Sequence, residues 1–385
     1  MSRTIRIPIT NTLLGGDYSG LIYVGSQKRP ANVLLDTGSS SLGVDGNHYD
    51  PSADRDATIT KMVQEVQYVD QSGWIGAVVQ TDITVGEGQQ ALSLPKAYAA
   101  VVFRETRGIF RQADGILGLA YTGINDAYIL SVPSLPPNYN ANQIQNGRRT
   151  HLKPYFTQLE ESGVVANKFA FYTLRSTVNN ATANPARDPL NNGWLILGGG
   201  EESTDLYGGP FQTARVLHDK YYNTNLKALI VGNSAPIEVP PPTRASGNVT
   251  NSVVDSGTQP LLLDQTLFDA MANHLSKGND RTLVHAMRSG YLPMSNLNLA
   301  SWPKLTFVLE GVGGNDAQIV VTPETYWQLD SPEKGFASSG ILGDEGQLAG
   351  QSILGLPLMN NYLTIFDRSV NHGLGVVKFA TAKGP

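Results

Sequence analysis

Apolar and polar residues follow one another in short runs with little of the 3.6-residue rhythm of helices. Residues 77–85 (Ala-Val-Val-Gln-Thr-Asp-Ile-Thr-Val) are rich in β-branched side chains with partial alternation and are followed by Gly86, which predicts a strand ending in a turn. Leu305 to Leu309 runs up to Gly311, and Ile319 to Thr322 runs up to Pro323; these predict neighbouring strands. Helical periodicity is confined to two places. From Gln265 to Ser276, Leu267, Phe268, Met271 and Leu275 fall on one stripe, with Asp264 as N-cap and Gly278 as the stop. A shorter helix is expected from Pro154 to Ser162, with Pro at its start and Gly163 after it. Residues 122–150, with Pro133, Pro136, Pro137 and many Asn and Gln, predict a long loop. Pro240-Pro241-Pro242-Thr243-Arg244 lacks ladder donors and is expected to separate strands. The first strand is expected near Arg3, with no leader or prosegment before it.

Composition sharpens this into a turn-rich, mostly β chain. Its 385 residues exceed twice a typical ~150-residue domain. Gly (40) and Pro (22) are abundant, and charged residues make up only 16%, against a usual ~25%. There is no Cys, which excludes thiol catalysis, Cys-bound zinc and iron–sulfur clusters. The formal charge of −5 and the scattered Lys and Arg argue against a nucleic-acid surface. No apolar run approaches the ~18 residues of a membrane-spanning helix. The six His, at 48, 151, 218, 274, 285 and 372, show no His-Glu-x-x-His spacing, so no metal or cofactor is expected. Gly86-Glu87-Gly88-Gln89-Gln90-Ala91 fits a loose dinucleotide pattern, but no helix opens after it and Glu87 would repel phosphate; it predicts a hairpin turn. Gly198-Gly199-Gly200 predicts a turn after Leu195-Ile196-Leu197. The glycosylation-type tripeptides at Asn180 and Asn248 carry little weight, and no Gly-x-Ser-x-Gly elbow of a serine hydrolase occurs.

A long-range repeat carries the chemistry. Val33-Leu34-Leu35-Asp36-Thr37-Gly38-Ser39-Ser40 is echoed by Ser252-Val253-Val254-Asp255-Ser256-Gly257-Thr258-Gln259. Each copy is followed by a second apolar signal ending in Gly, Gly115-Ile116-Leu117-Gly118 and Ser352-Ile353-Leu354-Gly355. The intervals from Asp to that Gly are 82 and 100 residues. A lone Asp-Thr-Gly is usually a turn whose Asp caps backbone N–H groups. Two copies in the same order with the same downstream partner point instead to two β-rich lobes, each contributing one Asp. Carboxylates ~3 Å apart cannot both ionise easily, so they hold one proton between them. Such a pair can take a proton from a bound water and give one to a carbonyl, which is a complete route to peptide hydrolysis.

On these motifs the chain resembles the pepsin-like aspartic proteases, from about Tyr18 to Phe379. Asp36-Thr37-Gly38-Ser39-Ser40 and Asp255-Ser256-Gly257-Thr258 look like the family's active-site motifs, and Asp114 to Tyr121, Ile353-Leu354-Gly355 and Leu363 to Arg368 like further family stretches. The resemblance implies a bilobal β fold with two pseudo-twofold-related lobes, 1–203 and 204–385, and a cleft between them. It implies Asp36 and Asp255 as the catalytic pair. Ser39 and Thr258 would bond the outer carboxylate oxygens. Thr37 and Ser256 would brace the loops, and Gly38 and Gly257 would let backbone amides approach. Gly118 and Gly355 would be structural. Val66 to Gly73 resembles the flap with Tyr68 at its tip, and Leu34, Ile109, Phe110 and Ile116 would join Tyr68 as pocket walls. The implied activity is endopeptidase cleavage between apolar residues at acid pH, by a monomer that binds peptide as an extended strand and is inhibited by pepstatin-type peptides. A catalytically inactive peptide-binding or inhibitor protein on the same scaffold is the alternative. The lack of Cys, leader and prosegment fits a cytoplasmic, bacterial member; a processed periplasmic or secreted protein would read the same.

The sequence also departs from the family. Gly43 stands where a Trp usually supports the flap tyrosine, with Trp74 as a substitute. Val69 and Asp70 replace small flap residues in a flap one residue longer. Gln259 replaces a hydroxyl residue, with little effect expected, and the 122–150 loop is longer than usual.

Overall fold

The computed structural model describes residues 2–69, 71–110, 112–131, 144, 146–242, 248–279 and 281–384. Its largest sheet has fifteen strands and draws on both ends of the chain. The first strand, Ile5–Leu14, pairs with Asn192–Leu197, which pairs with Lys168–Thr173. The C-terminal hairpin of Tyr362–Asp367 and Val376–Ala382 then adds to Lys168–Thr173. The two halves are thus stitched by a shared sheet, over which Phe156, Phe169, Phe171, Tyr222 and Phe366 pack ring against ring, with Phe169 and Phe366 stacked at 5.0 Å. Each of these rings is almost wholly buried, which contributes about 1.5–3 kcal/mol apiece.

Each half contains the same small knot of strands. In the first, Arg29–Asp36 runs parallel to Gly115–Gly118, which is antiparallel to Leu42–Asp45. In the second, Ser252–Val254 runs parallel to Ser352–Leu354, which is antiparallel to Leu261–Leu263. The chain therefore leaves one outer strand at the Asp, returns as the other, and is later split by the strand of the second signal. Gly118 and Gly355 sit at the crossing: a Cβ on Gly118 would lie 2.5 Å from Ser40 N, and one on Gly355 would collide with the carbonyl of Pro260. Only glycine fits either place.

The predicted strands 77–85, 305–309 and 319–322 fall within Gly73–Val85, Leu305–Leu309 and Ala317–Val321, and the last two are antiparallel neighbours. The predicted helices are Gln265–Leu275, capped by Asp264 Oδ1 accepting from Thr266 N at 3.1 Å, and Tyr155–Glu161. The segment 122–150 is not all loop: Asp126–Ile129 and Arg148–His151 form an antiparallel pair. Each strand is four residues long, too short for alternation to show against the surrounding polar sequence. The prolines at 133, 136 and 137 lie outside the described residues. The helix Arg281–Ser289 was also not expected. Among the described residues no helix is long and apolar enough to cross a membrane.

Candidate active site

Asp36 is the last residue of its strand, and Asp255 directly follows Ser252–Val254. Each chain then turns so that the amide two residues on points back at the carboxylate. Gly38 N donates to Asp36 Oδ1 at 2.7 Å, and Gly257 N donates to Asp255 Oδ1 at 2.9 Å. The two loops grip each other through reciprocal bonds across the pseudo-twofold axis. Thr37 N donates to Ser256 Oγ at 3.0 Å and Ser256 N to Thr37 Oγ1 at 2.8 Å. Each hydroxyl passes the contact on, Thr37 Oγ1 to the carbonyl of Val254 at 3.2 Å and Ser256 Oγ to that of Leu35 at 2.9 Å. Four buried bonds thereby fix one loop against the other.

This brace brings the carboxyls face to face. A Cβ placed on Gly38 would lie 2.7 Å from both oxygens of Asp255, and one on Gly257 would collide with Asp36 Oδ1. Asp36 is 5% and Asp255 9% exposed. Burial, and next the charge of Asp255, hold the Asp36 carboxyl well above the usual carboxylate range, while Ser39 and the Gly38 amide pull the other way.

The supporting residues are not equivalent. Thr258 Oγ1 donates to Asp255 Oδ2 at 2.7 Å, as expected. Ser39, its counterpart, stands beside Asp36 and Tyr68 and favours the charged form of Asp36. Its buried hydroxyl, set between those two groups, makes no hydrogen bond of good geometry with either, so the expected bond to the outer oxygen is not formed.

The flap is the hairpin of Thr58–Gln67 and Gly73–Val85, closed by Tyr68 N donating to the Ser72 carbonyl at 2.9 Å. Val69 at its tip is 62% exposed; Asp70 lies outside the described residues. Tyr68 turns inward, where burial and the Asp36 charge push its hydroxyl above the ordinary phenol range. Trp74 takes the supporting role from within the same hairpin: its Nε1 donates to Tyr68 Oη at 3.2 Å. Gly43 makes room for that indole, since a Cβ there would come within 3.3 Å of Trp74 Cζ2. The remaining expected wall residues, Leu34, Ile109, Phe110 and Ile116, pack with Trp74 and Tyr68 in one apolar cluster.

Three features had no motif. Leu13 and Leu14 join that apolar cluster from the first strand. Tyr221, from the second half, lies within reach of both carboxyls; burial, then Asp255 and Asp36, raise its hydroxyl pKa. Behind the first loop, Ser41 Oγ and Gln64 Nε2 both donate to Asn125 Oδ1 at 2.7 Å, tying the Asp36 loop to the flap strand.

The sequence profile of the family described as eukaryotic aspartyl protease matches residues 17–381. Among known relatives, pepsin-2B of Gadus morhua is 24% identical over 371 residues, covering 92% of this chain and 94% of that protein. Gastricsin of Suncus murinus is 24% identical over 387 residues, covering 96% and 82%. Chymosin of Camelus dromedarius is 23% identical over 391 residues, covering 98% and 84%.

Proposed function

The chain belongs to the eukaryotic aspartyl protease family, an aspartic endopeptidase by descent, and on that premise we propose that it hydrolyses peptide bonds between apolar residues with a water activated by Asp36 and Asp255 in acid. The close approach of the two buried carboxyls supports this most strongly. With one proton shared, the ionised member takes a proton from the water as the oxygen attacks the scissile carbonyl. The protonated member gives its proton to the carbonyl oxygen, producing a neutral tetrahedral diol. Transfer of a proton to the nitrogen then lets the C–N bond break. The amides of Gly38 and Gly257 hold one oxygen of each carboxylate, so the groups need not reorganise during these transfers.

The peptide lies extended in the groove, with the apolar cluster around Phe110 and Ile116 taking a side chain beside the scissile bond. Tyr68 closes over it. Pepstatin-type peptides, whose hydroxyl mimics the diol, bind the same pair, and the enzyme works as a monomer because one chain holds both motifs.

The test is cleavage of an acid-denatured protein by the wild type, Asp36→Ala and Asp255→Ala. The wild type is expected to cut, and neither variant to cut while both retain their thermal transition. Substantial cleavage by either folded variant overturns the assignment of the pair. No cleavage by the wild type leaves a peptide-binding scaffold.

A further inference from the structure

One residue beyond Thr258, the groove opens into a pocket of about 820 Å³ built from both halves of the chain. Thr12 and Gly15 come from the first strand and its turn, Asn184 from the connection, and Gln259, Tyr291 and Ser338 from the second half. Among the described residues no Asp, Glu, Lys, Arg or His lines it. Hydroxyls and amides do. The side chains of Asn184 and Ser338 make no hydrogen bond with another described residue, and Tyr291, 53% exposed, sets its ring edge-on to Phe336.

Gln259 forms the wall on the side of the carboxyl pair. Its Nε2 donates to the Gly15 carbonyl at 2.9 Å, a bond that crosses from one half to the other. Gly16 accommodates this crossing: its φ is +150°, and any Cβ there would run into the Gln259 amide. Thr258, the neighbour of Gln259, holds Asp255. A peptide lying over the carboxyls therefore meets this wall within a few residues.

Resting on the proteolytic reading above, we infer that this pocket is a distal specificity site for uncharged, hydrogen-bonding side chains of the substrate peptide, and that Gln259 sets its selectivity. An ion entering it sheds water and finds no opposite charge, whereas a carboxamide or hydroxyl recovers its lost hydrogen bonds from the lining. Gln259 can offer its amide oxygen to such a group while its nitrogen stays on Gly15.

The experiment uses the full chain and dodecapeptides with one apolar pair as the cleavable bond. Single Gln, Lys or Asp residues are placed at the third, fourth or fifth position on either side, and kcat/KM is measured at pH 5. At one distal position the wild type is expected to prefer Gln over both Lys and Asp by about tenfold or more, chiefly through KM. Q259A should shrink that ratio to about threefold or less, and Q259E should shift it towards Lys. Ratios within each variant are compared, so a general loss of activity does not disguise the result. If the parent peptide is cut but all three side chains are accepted equally everywhere, or if both variants keep the wild-type ratios, the distal site is refuted and proteolysis stands. If the wild type cuts neither the peptides nor a denatured protein, both readings fall.

Discussion

Replacing Gly38 with alanine adds a single methyl group where the two motif loops meet. Its carbon would lie 2.7 Å from both oxygens of Asp255 and 2.8 Å from Cγ. Ordinary contact starts near 3.4 Å, so the carboxyl must withdraw by roughly 0.7 Å. It is held from behind by Gly257 N at 2.9 Å and Thr258 Oγ1 at 2.7 Å, so the shift stretches those bonds or parts the two loops. The backbone of Gly38 is not in the left-handed region, so alanine brings no dihedral strain there. Its stiffer unfolded chain returns ~0.4–1 kcal/mol of stability. Misplacing reacting groups by ~1 Å can cost about 10²-fold, so kcat is expected to fall roughly 30- to 100-fold, with KM altered far less. Steady-state kinetics in acid, run beside thermal unfolding, read both effects. Gly278→Ala, where a Cβ would meet nothing within 4 Å, is the control and should behave as wild type. A folded Gly38→Ala enzyme with kcat close to wild type would show that the reacting groups are not this close pair.

Other perturbations probe the surroundings. Trp74→Phe keeps an aromatic ring over Gly43 but removes the donor to Tyr68; a net hydrogen bond of ~0.5–1.5 kcal/mol predicts a two- to twelvefold lower kcat/KM, roughly, and unchanged kinetics would remove Trp74 from flap positioning. Because burial and Asp255 raise Asp36, the folded chain binds that proton more tightly than the unfolded one, and stability falls as pH rises from about 4 through the folded value. Asp36→Asn lacks this loss, so its stability advantage in urea unfolding should grow from pH 4 to pH 7; an advantage that shrinks contradicts the raised pKa. Asp54 behaves in the opposite way: burial would raise it, but bonds from Thr81 Oγ1 and Tyr49 Oη, both at 2.5 Å, and from Ser26 N at 2.9 Å hold it below the usual range. Its contribution is present above about pH 4 and is lost only as pH falls further, so it persists through mild acid. Asp54→Ala strands those buried donors and should cost about 3 kcal/mol at pH 5; an unmoved urea midpoint would show the network to be dispensable.

Much of this site could be read from the residues because the groups that act together also stand together in the chain. Asp, hydroxyl and Gly are consecutive in both motifs, and turn geometry then dictates that each Gly amide faces its own Asp. The helix Gln265–Leu275 was legible for a similar reason: its cap, stripe and stop are all local. What escaped depends on distance in the chain. Gln259 looked like a minor change in a motif, yet its partner is the carbonyl of Gly15, 244 residues away. Tyr221 has no signature, since two neighbouring tyrosines say nothing about which carboxyl they will meet. Ser39 and Thr258 look alike in sequence, but the hydroxyl of Ser39 is set between Asp36 and Tyr68 and that of Thr258 is not. The strands Asp126–Ile129 and Arg148–His151 were lost within a polar stretch because a four-residue strand shows barely two alternations.

The claim beneath all of this is that Asp36 and Asp255 share one proton when the enzyme is active. A profile of kcat/KM from pH 2 to pH 9 on one apolar peptide tests it most directly. The shared proton predicts a bell confined to acid, with activity vanishing above neutrality as the second carboxyl ionises. Activity that holds level or climbs beyond about pH 8 would contradict it.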